Sequence, residues 1–232
     1  MRRLAVPAVA SALLLAGCGA TSVESDPVVE GARGAVQAYV DAIGALDLDT
    51  ATAMTSPEAL VAPTGRTPPV DVTAALPEAI AGIEDAWIAY DGTDFTRLDE
   101  DEPGDTTDVV WFTVSYAVDG IAGADSVEVT RIGDDAGDVD DWIVTDALVV
   151  QAESFVDDAI TESSFGGVAF ETDSRNAYQP VWGYPALYEH EATAFAADVP
   201  ADAVAQPLEV PIGVLIEPRW DESLRVLEVE LP

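Results

Sequence analysis

The sequence predicts an α+β fold: N-terminal helices on a curved antiparallel sheet, followed by a small β-rich second domain. Three observations predict it. Apolar residues recur at helical spacing from Val28 to Leu46, they adopt strand-like patterns in four segments between Asp85 and Val150, and Gly and Pro cut residues 151–232 into short apolar pieces.

Ahead of the first helix stands a targeting segment. Met1-Arg2-Arg3 is cationic, Leu4 to Leu15 is an apolar run broken only by Pro7 and Ser11, and Ala16-Gly17 are small. That order is a signal-peptide layout. The run falls short of the roughly 20 residues that a helix needs to cross a hydrocarbon layer of about 30 Å. Leu15-Ala16-Gly17-Cys18 resembles the bacterial lipobox, in which the cysteine receives diacylglycerol before cleavage. The resemblance implies that residues 1–17 are removed and that Cys18, the one cysteine in the chain, becomes the acylated N-terminus. Two acyl chains, at about 0.8 kcal/mol per buried methylene, hold lastingly where one is marginal. Residues 18–27 are mostly small and polar and read as a flexible tether.

The folded part is expected in two units, residues 28–150 and 151–232. Val29, Ala32, Val36, Tyr39, Val40, Ile43 and Leu46 form one stripe of a first helix. Asp47 is an N-cap for a short helix through Met54, and Ser56-Pro57-Glu58 starts another, with Ser as cap and Pro in the first turn. Three prolines and a glycine between Val61 and Pro69 predict a loop, and a further helix is expected within Thr73 to Ile83. Strands are expected over Asp85–Phe95, Val109–Val118, Val127–Ile132 and Trp142–Val150. The second is the clearest, with Val110, Phe112, Val114, Tyr116 and Val118 on one face. Asp119-Gly120 is a turn. Past a junction between Gln151 and Thr161, short segments such as Val168–Phe170, Tyr188–Thr193 and Val210–Ile216 suggest the second domain.

Helices then strands, with Ala38-Tyr39-Val40-Asp41-Ala42-Ile43 leading to Leu46-Asp47-Leu48-Asp49 and a closing Asp141-Trp142-Ile143-Val144, resemble the NTF2-like, cystatin-like superfamily. That small domain also precedes some penicillin-binding proteins. The resemblance covers about Val28 to Val150 and implies a cone-shaped cavity. It further implies that an Asp base and a Tyr donor would sit there in an isomerase or cyclase, with Tyr39, Tyr116 and Asp146 as the positions to inspect. Tyr39 lies on a packing stripe, so a core role is the plainer reading. Asp146 alternates with Trp142 and Val144 and is expected to face inward.

Charge excludes whole classes of function. All nine cationic residues are arginine, and loss of Arg2 and Arg3 leaves seven against 44 acidic residues, a net −37. Nucleic-acid binding, which needs cations to neutralise phosphates, is excluded, and so is polybasic attachment to lipid. The runs Asp99–Glu102 and Asp134–Asp141 lack calcium-loop spacing: a loop starting at Asp134 puts Ala136 at the third position. Solvated, self-repelling loops are the expectation, with no metal and no cofactor.

Nucleophilic catalysis is poorly served. The chain has no Gly-x-Ser-x-Gly elbow, no lysine, and no thiol once Cys18 is acylated. His190, the one histidine, is flanked by Glu189 and Glu191, which strand alternation sends to the opposite face. Trp182, Tyr184 and Tyr188 would make an aromatic surface for sugar or peptide if exposed, although a small domain needs such residues for its core. The expected function is therefore a non-enzymatic envelope lipoprotein on the outer face of a cell membrane, by preference in a Gram-positive cell. It would bind a protein or precursor of cell-wall assembly. The alternative is a cavity binder or enzyme.

Overall fold

The computed structural model describes residues 26–64, 68–97, 106–155, 159–172, 178–199, 204–214 and 229–230. The expected signal peptide, Cys18, the expected tether up to Ser25 and the acidic run at 99–102 lie outside them.

The first helix forms where the stripe predicts it. Helix α1 spans Pro27–Gly44, capped by the Asp26 carboxylate, which accepts the Val28 N–H, with Pro27 at the first position. Helix α2, Leu48–Ala53, is capped in the same way by Asp47. Pro57–Leu60 and Thr73–Glu78 are 3-10 turns; the α-helix expected in the second is cut short by Pro77 inside it.

Strands make up most of the remaining regular structure. They are β1 Val70–Asp71, β2 Glu84–Arg97, β3 Thr106–Val118, β4 Ile121–Arg131, β5 Trp142–Asp146, β6 Val150–Phe155, β7 Ile160–Phe165, β8 Val168–Glu171, β9 Tyr178–Gly183, β10 Ala186–Phe195, β11 Val204–Ala205, β12 Leu208–Ile212 and β13 Val229–Glu230. β2-β3-β4-β5 form one antiparallel sheet, and β12-β10-β7-β8 form another. A third, β1-β9-β6, joins chain segments far apart in sequence, with β1 parallel to β9. β11 pairs with β13.

Helix α1 buries Ala32, Val36, Tyr39, Val40 and Ile43 against the face of β2–β5 that carries Val110, Phe112, Val114, Val127, Val129 and Val144. The loop between β4 and β5 closes over α1 through two glycines. A Cβ on Gly31 would lie 2.0 Å from the Ala136 carbonyl oxygen, and one on Gly34 would lie 2.6 Å from a Val139 methyl. Trp142 Nε1 donates to that Ala136 carbonyl at 3.0 Å, and the Asp141 carboxylate accepts the Asp135 N–H at 2.7 Å. The acidic Asp134–Asp141 stretch is thus a folded clasp built partly on its own carboxylates.

The expected architecture needs correction. An NTF2-like cone of helices on a sheet, with a separate small β domain after it, is not what the chain forms. Among the described residues only α1 is longer than two turns, strands outnumber α-helices thirteen to two, and the two halves share one core. Val72 N–H donates to the Trp182 carbonyl at 2.8 Å, and two backbone bonds tie Ile80 and Ala81 to Leu187 around the Ala81–Leu187 bridge. Gly123 of β4 packs so closely on Gly213 that a Cβ there would stand 2.3 Å from the Gly213 carbonyl oxygen. Tyr184, Leu187, Tyr188 and Ile212 fill the same apolar cluster as Tyr39, Leu76 and Phe112. The interior expected to hold a cavity is occupied by side chains from both halves. Apolar area of the first half that would otherwise face water is covered by the second, and removing it from water stabilises both.

Candidate functional site

Each residue singled out from sequence has a definite place. Tyr39 is fully buried on α1, and its hydroxyl accepts the Leu148 N–H at 3.1 Å. Burial pushes its pKa well above the ordinary tyrosine value, and the neighbouring Tyr184 adds to this. Tyr116 is buried at the seam between the halves and donates to the Gly213 carbonyl at 2.6 Å; burial, then Asp125, raises its pKa. Both hydroxyls are spent on backbone groups, so neither is presented to a ligand.

Asp146 is exposed, against the inward direction its spacing implied. The cause is a bulge: Val129 pairs with Val144 but Glu128 pairs with Asp146, so Thr145 is an extra residue and the alternation changes phase after it. Asp146 therefore shares the outer face with Glu128 directly opposite. Partial desolvation, then Glu128 and Asp125, raises its pKa. Tyr39, Tyr116 and Asp146 lie apart, and none of them lines the open cleft at Glu78, Glu189 and Glu191 or the one between Gln37 and Glu84.

Trp182, Tyr184 and Tyr188 are buried, which corrects the reading of them as an aromatic surface. They sit in the seam: Tyr188 donates to the Tyr184 carbonyl at 3.1 Å, and a Cβ on Gly166 would meet the Tyr188 ring at 2.9 Å. The Tyr184 hydroxyl lies towards Thr52 without completing a hydrogen bond. His190 is fully buried between the rings of Phe165 and Phe170, with centroids at 4.9 and 6.0 Å. Glu189 and Glu191 point to solvent on the other face, where they line an open cleft of about 550 Å³ with Glu78 and the Gly166-Gly167 turn. Among the described residues no three potential metal ligands converge.

Sequence reasoning missed an exposed apolar surface. Trp87 on β2 is 66% exposed, and it stands on the outer face of the β2–β5 sheet. Cross-strand pairs place Trp87 beside Ser115, Ala89 beside Thr113, and Gly92 beside Trp111; on β4 the same face continues with Ala122, Ala124 and Ser126. Trp87, Ala122, Ala124 and Ser126 are exposed, and Trp111, Thr113 and Ser115 between them are half-buried. The signal was present in Trp111-x-Thr113-x-Ser115-x-Ala117 and Ala122-x-Ala124-x-Ser126, outward positions without charge in a chain that is otherwise acid-rich. β2, at the sheet's edge, carries two irregularities, between Glu84 and Trp87 and between Tyr90 and Gly92, which discourage another strand from adding to it.

Comparison with known protein families gives no match, and neither curated proteins nor solved structures provide one.

Proposed function

We propose that this chain is a lipid-anchored envelope protein that acts as a non-enzymatic binding module. The anchor rests on the cationic, apolar, small-residue order that ends in Leu15-Ala16-Gly17-Cys18. The binding role rests on one observation, the exposed and nearly uncharged outer face of the β2–β5 sheet with Trp87 at its edge. Two of the three polar residues that the cone-shaped fold would place in a site serve the packing instead. Tyr39 and Tyr116 hold backbone groups, and Asp146 is turned to solvent. A cavity enzyme would need a polar group at the base of an apolar pocket; Tyr39 and Tyr116 are instead packed in the core and Asp146 lies on the outer sheet face. The link to cell-wall assembly came with the cone-shaped domain and loses that support with it.

Cross-linking in intact cells tests the reading. The anchored chain should capture a reproducible envelope partner, and Cys18→Ala should lose both membrane retention and the captured product. Retention of Cys18→Ala on the membrane would overturn the anchor. A blank result from anchored chain, under conditions where other envelope complexes are trapped, would overturn the binding role.

A further inference from the structure

The outer face of β2–β5 departs from the rest of the surface in charge. A chain with 44 acidic residues, shaped only by solubility, would carry carboxylates here too. Instead Trp87 stands on the edge strand, and the centre holds Trp111, Thr113, Ser115, Ala124 and Ser126. The carboxylates stand round it: Glu84, Asp85 and Asp91 along the edge strand, Asp119 in the β3–β4 turn, and Glu128 opposite Asp146 at the β5 end. Asp91 accepts the Thr113 hydroxyl at 2.6 Å and Glu84 accepts the Gly120 N–H at 3.1 Å, so part of this rim is fixed in place.

Size then identifies the occupant. Two strand spacings of about 4.8 Å by six residues at about 3.4 Å give a neutral centre of roughly 200 Å² on β3 and β4. A stable protein interface buries about 800 Å² on each partner. Any stable occupant must therefore reach over the rim, where it meets carboxylates on several sides. Glu128 and Asp146 are like charges directly across two strands, an arrangement that is unfavourable until a cation intervenes. We infer that this face docks a different envelope protein whose contact surface has a flat apolar centre and an arginine- or lysine-bearing border. The inference rests on the binding-module reading above. A second copy of this chain would set one acidic rim against another, and anionic polymers would be repelled. A neutral glycan could stack on Trp87 but would leave the rim uncompensated.

Site-resolved photo-cross-linking separates these outcomes. A benzophenone amino acid replaces Trp87 or Ala124 on the face, and Val61 or Ile80 at exposed apolar positions elsewhere, in the lipidated full chain in living cells. The inference expects one and the same foreign protein from positions 87 and 124 and not from 61 or 80. The purified complex of that protein with the full chain should weaken about tenfold between roughly 0.1 and 0.5 M salt, as screening removes the rim contacts. Capture only from 61 or 80 would overturn the assignment of the face and leave the binding module standing. Silence at all four positions would remove both. Capture of a second copy or of a glycan, or a complex indifferent to salt, would overturn the proposed partner class.

Discussion

Gly123→Ala probes the seam that makes the two halves one structure. The added Cβ would stand 2.3 Å from the Gly213 carbonyl oxygen and 2.6 and 2.9 Å from two ring carbons of Tyr116. Ordinary contact begins near 3.5 Å, so the wedge demands a shift of about 1 Å. Neither neighbour can yield alone, because the Tyr116 hydroxyl donates to that same carbonyl at 2.6 Å. Overpacking costs about 1–3 kcal/mol, and a weakened buried hydrogen bond adds about 0.5–1.5. The expected loss is about 2–4 kcal/mol, which lowers Tm by about 5–15 °C in a chain of this size. Gly92→Ala is the control: it lies in the same sheet with nothing within 4 Å of the added carbon, and should change stability by less than about 0.5 kcal/mol. Differential scanning calorimetry reads both. A single transition moving down for Gly123→Ala alone supports a shared core. A Gly123→Ala chain that melts with the wild type, or one that loses half its transition while the other half stays put, would refute it.

Other substitutions test the same packing. Arg33→Ala removes a guanidinium that donates to the Ile88 carbonyl at 2.6 Å and lies 5.4 Å from the centre of the Phe112 ring; a loss of about 2–3 kcal/mol in denaturant unfolding is expected. Tyr188→Phe should cost about 1 kcal/mol, whereas Tyr184→Phe, which deletes a buried hydroxyl lacking a hydrogen bond, should be neutral or stabilising; parallel melts compare the two. Asp146 has a raised pKa in the folded chain, so its contribution is fully present below the unfolded value and lost as pH rises through the folded one. Asp146→Asn should therefore raise Tm at neutral pH and leave it unchanged near pH 3, where the wild-type carboxyl is protonated as well. At a formal net charge of −35, added salt should raise Tm of the wild type through screening, which a melt in sodium chloride checks.

Local signals are legible in the sequence and long-range ones are not. The stripe from Val29 to Ile43 predicts α1, and the alternation from Val109 to Val118 predicts β3 with its buried face. Asp119-Gly120 forms its turn with both residues at positive φ, 49° and 73°. Each of these is decided by neighbours a few positions away. The parallel pairing of Val70-Asp71 with Val181-Trp182 is not, and two residues carry no periodicity by which to recognise a strand. The merging of residues 151–232 into the first core escapes for the same reason: it depends on contacts such as Gly123 on Gly213, distant in sequence. The alternation misdirects Asp146 because one extra residue, Thr145, reverses the phase from which its orientation is read. Trp182, Tyr184 and Tyr188 suit either core or surface by type, and burial decides for core. The sheet face with Trp87 and Trp111 escapes because each residue is unexceptional alone. Only strand pairing brings them together as one neutral patch.

The mass of the chain extracted from the membrane fraction tests the account at its base. An N-terminal peptide that begins at Cys18 and carries a diacylglyceryl group is the result expected of an anchored envelope protein. A chain still beginning at Met1, or one with an unmodified Cys18 thiol, would contradict it.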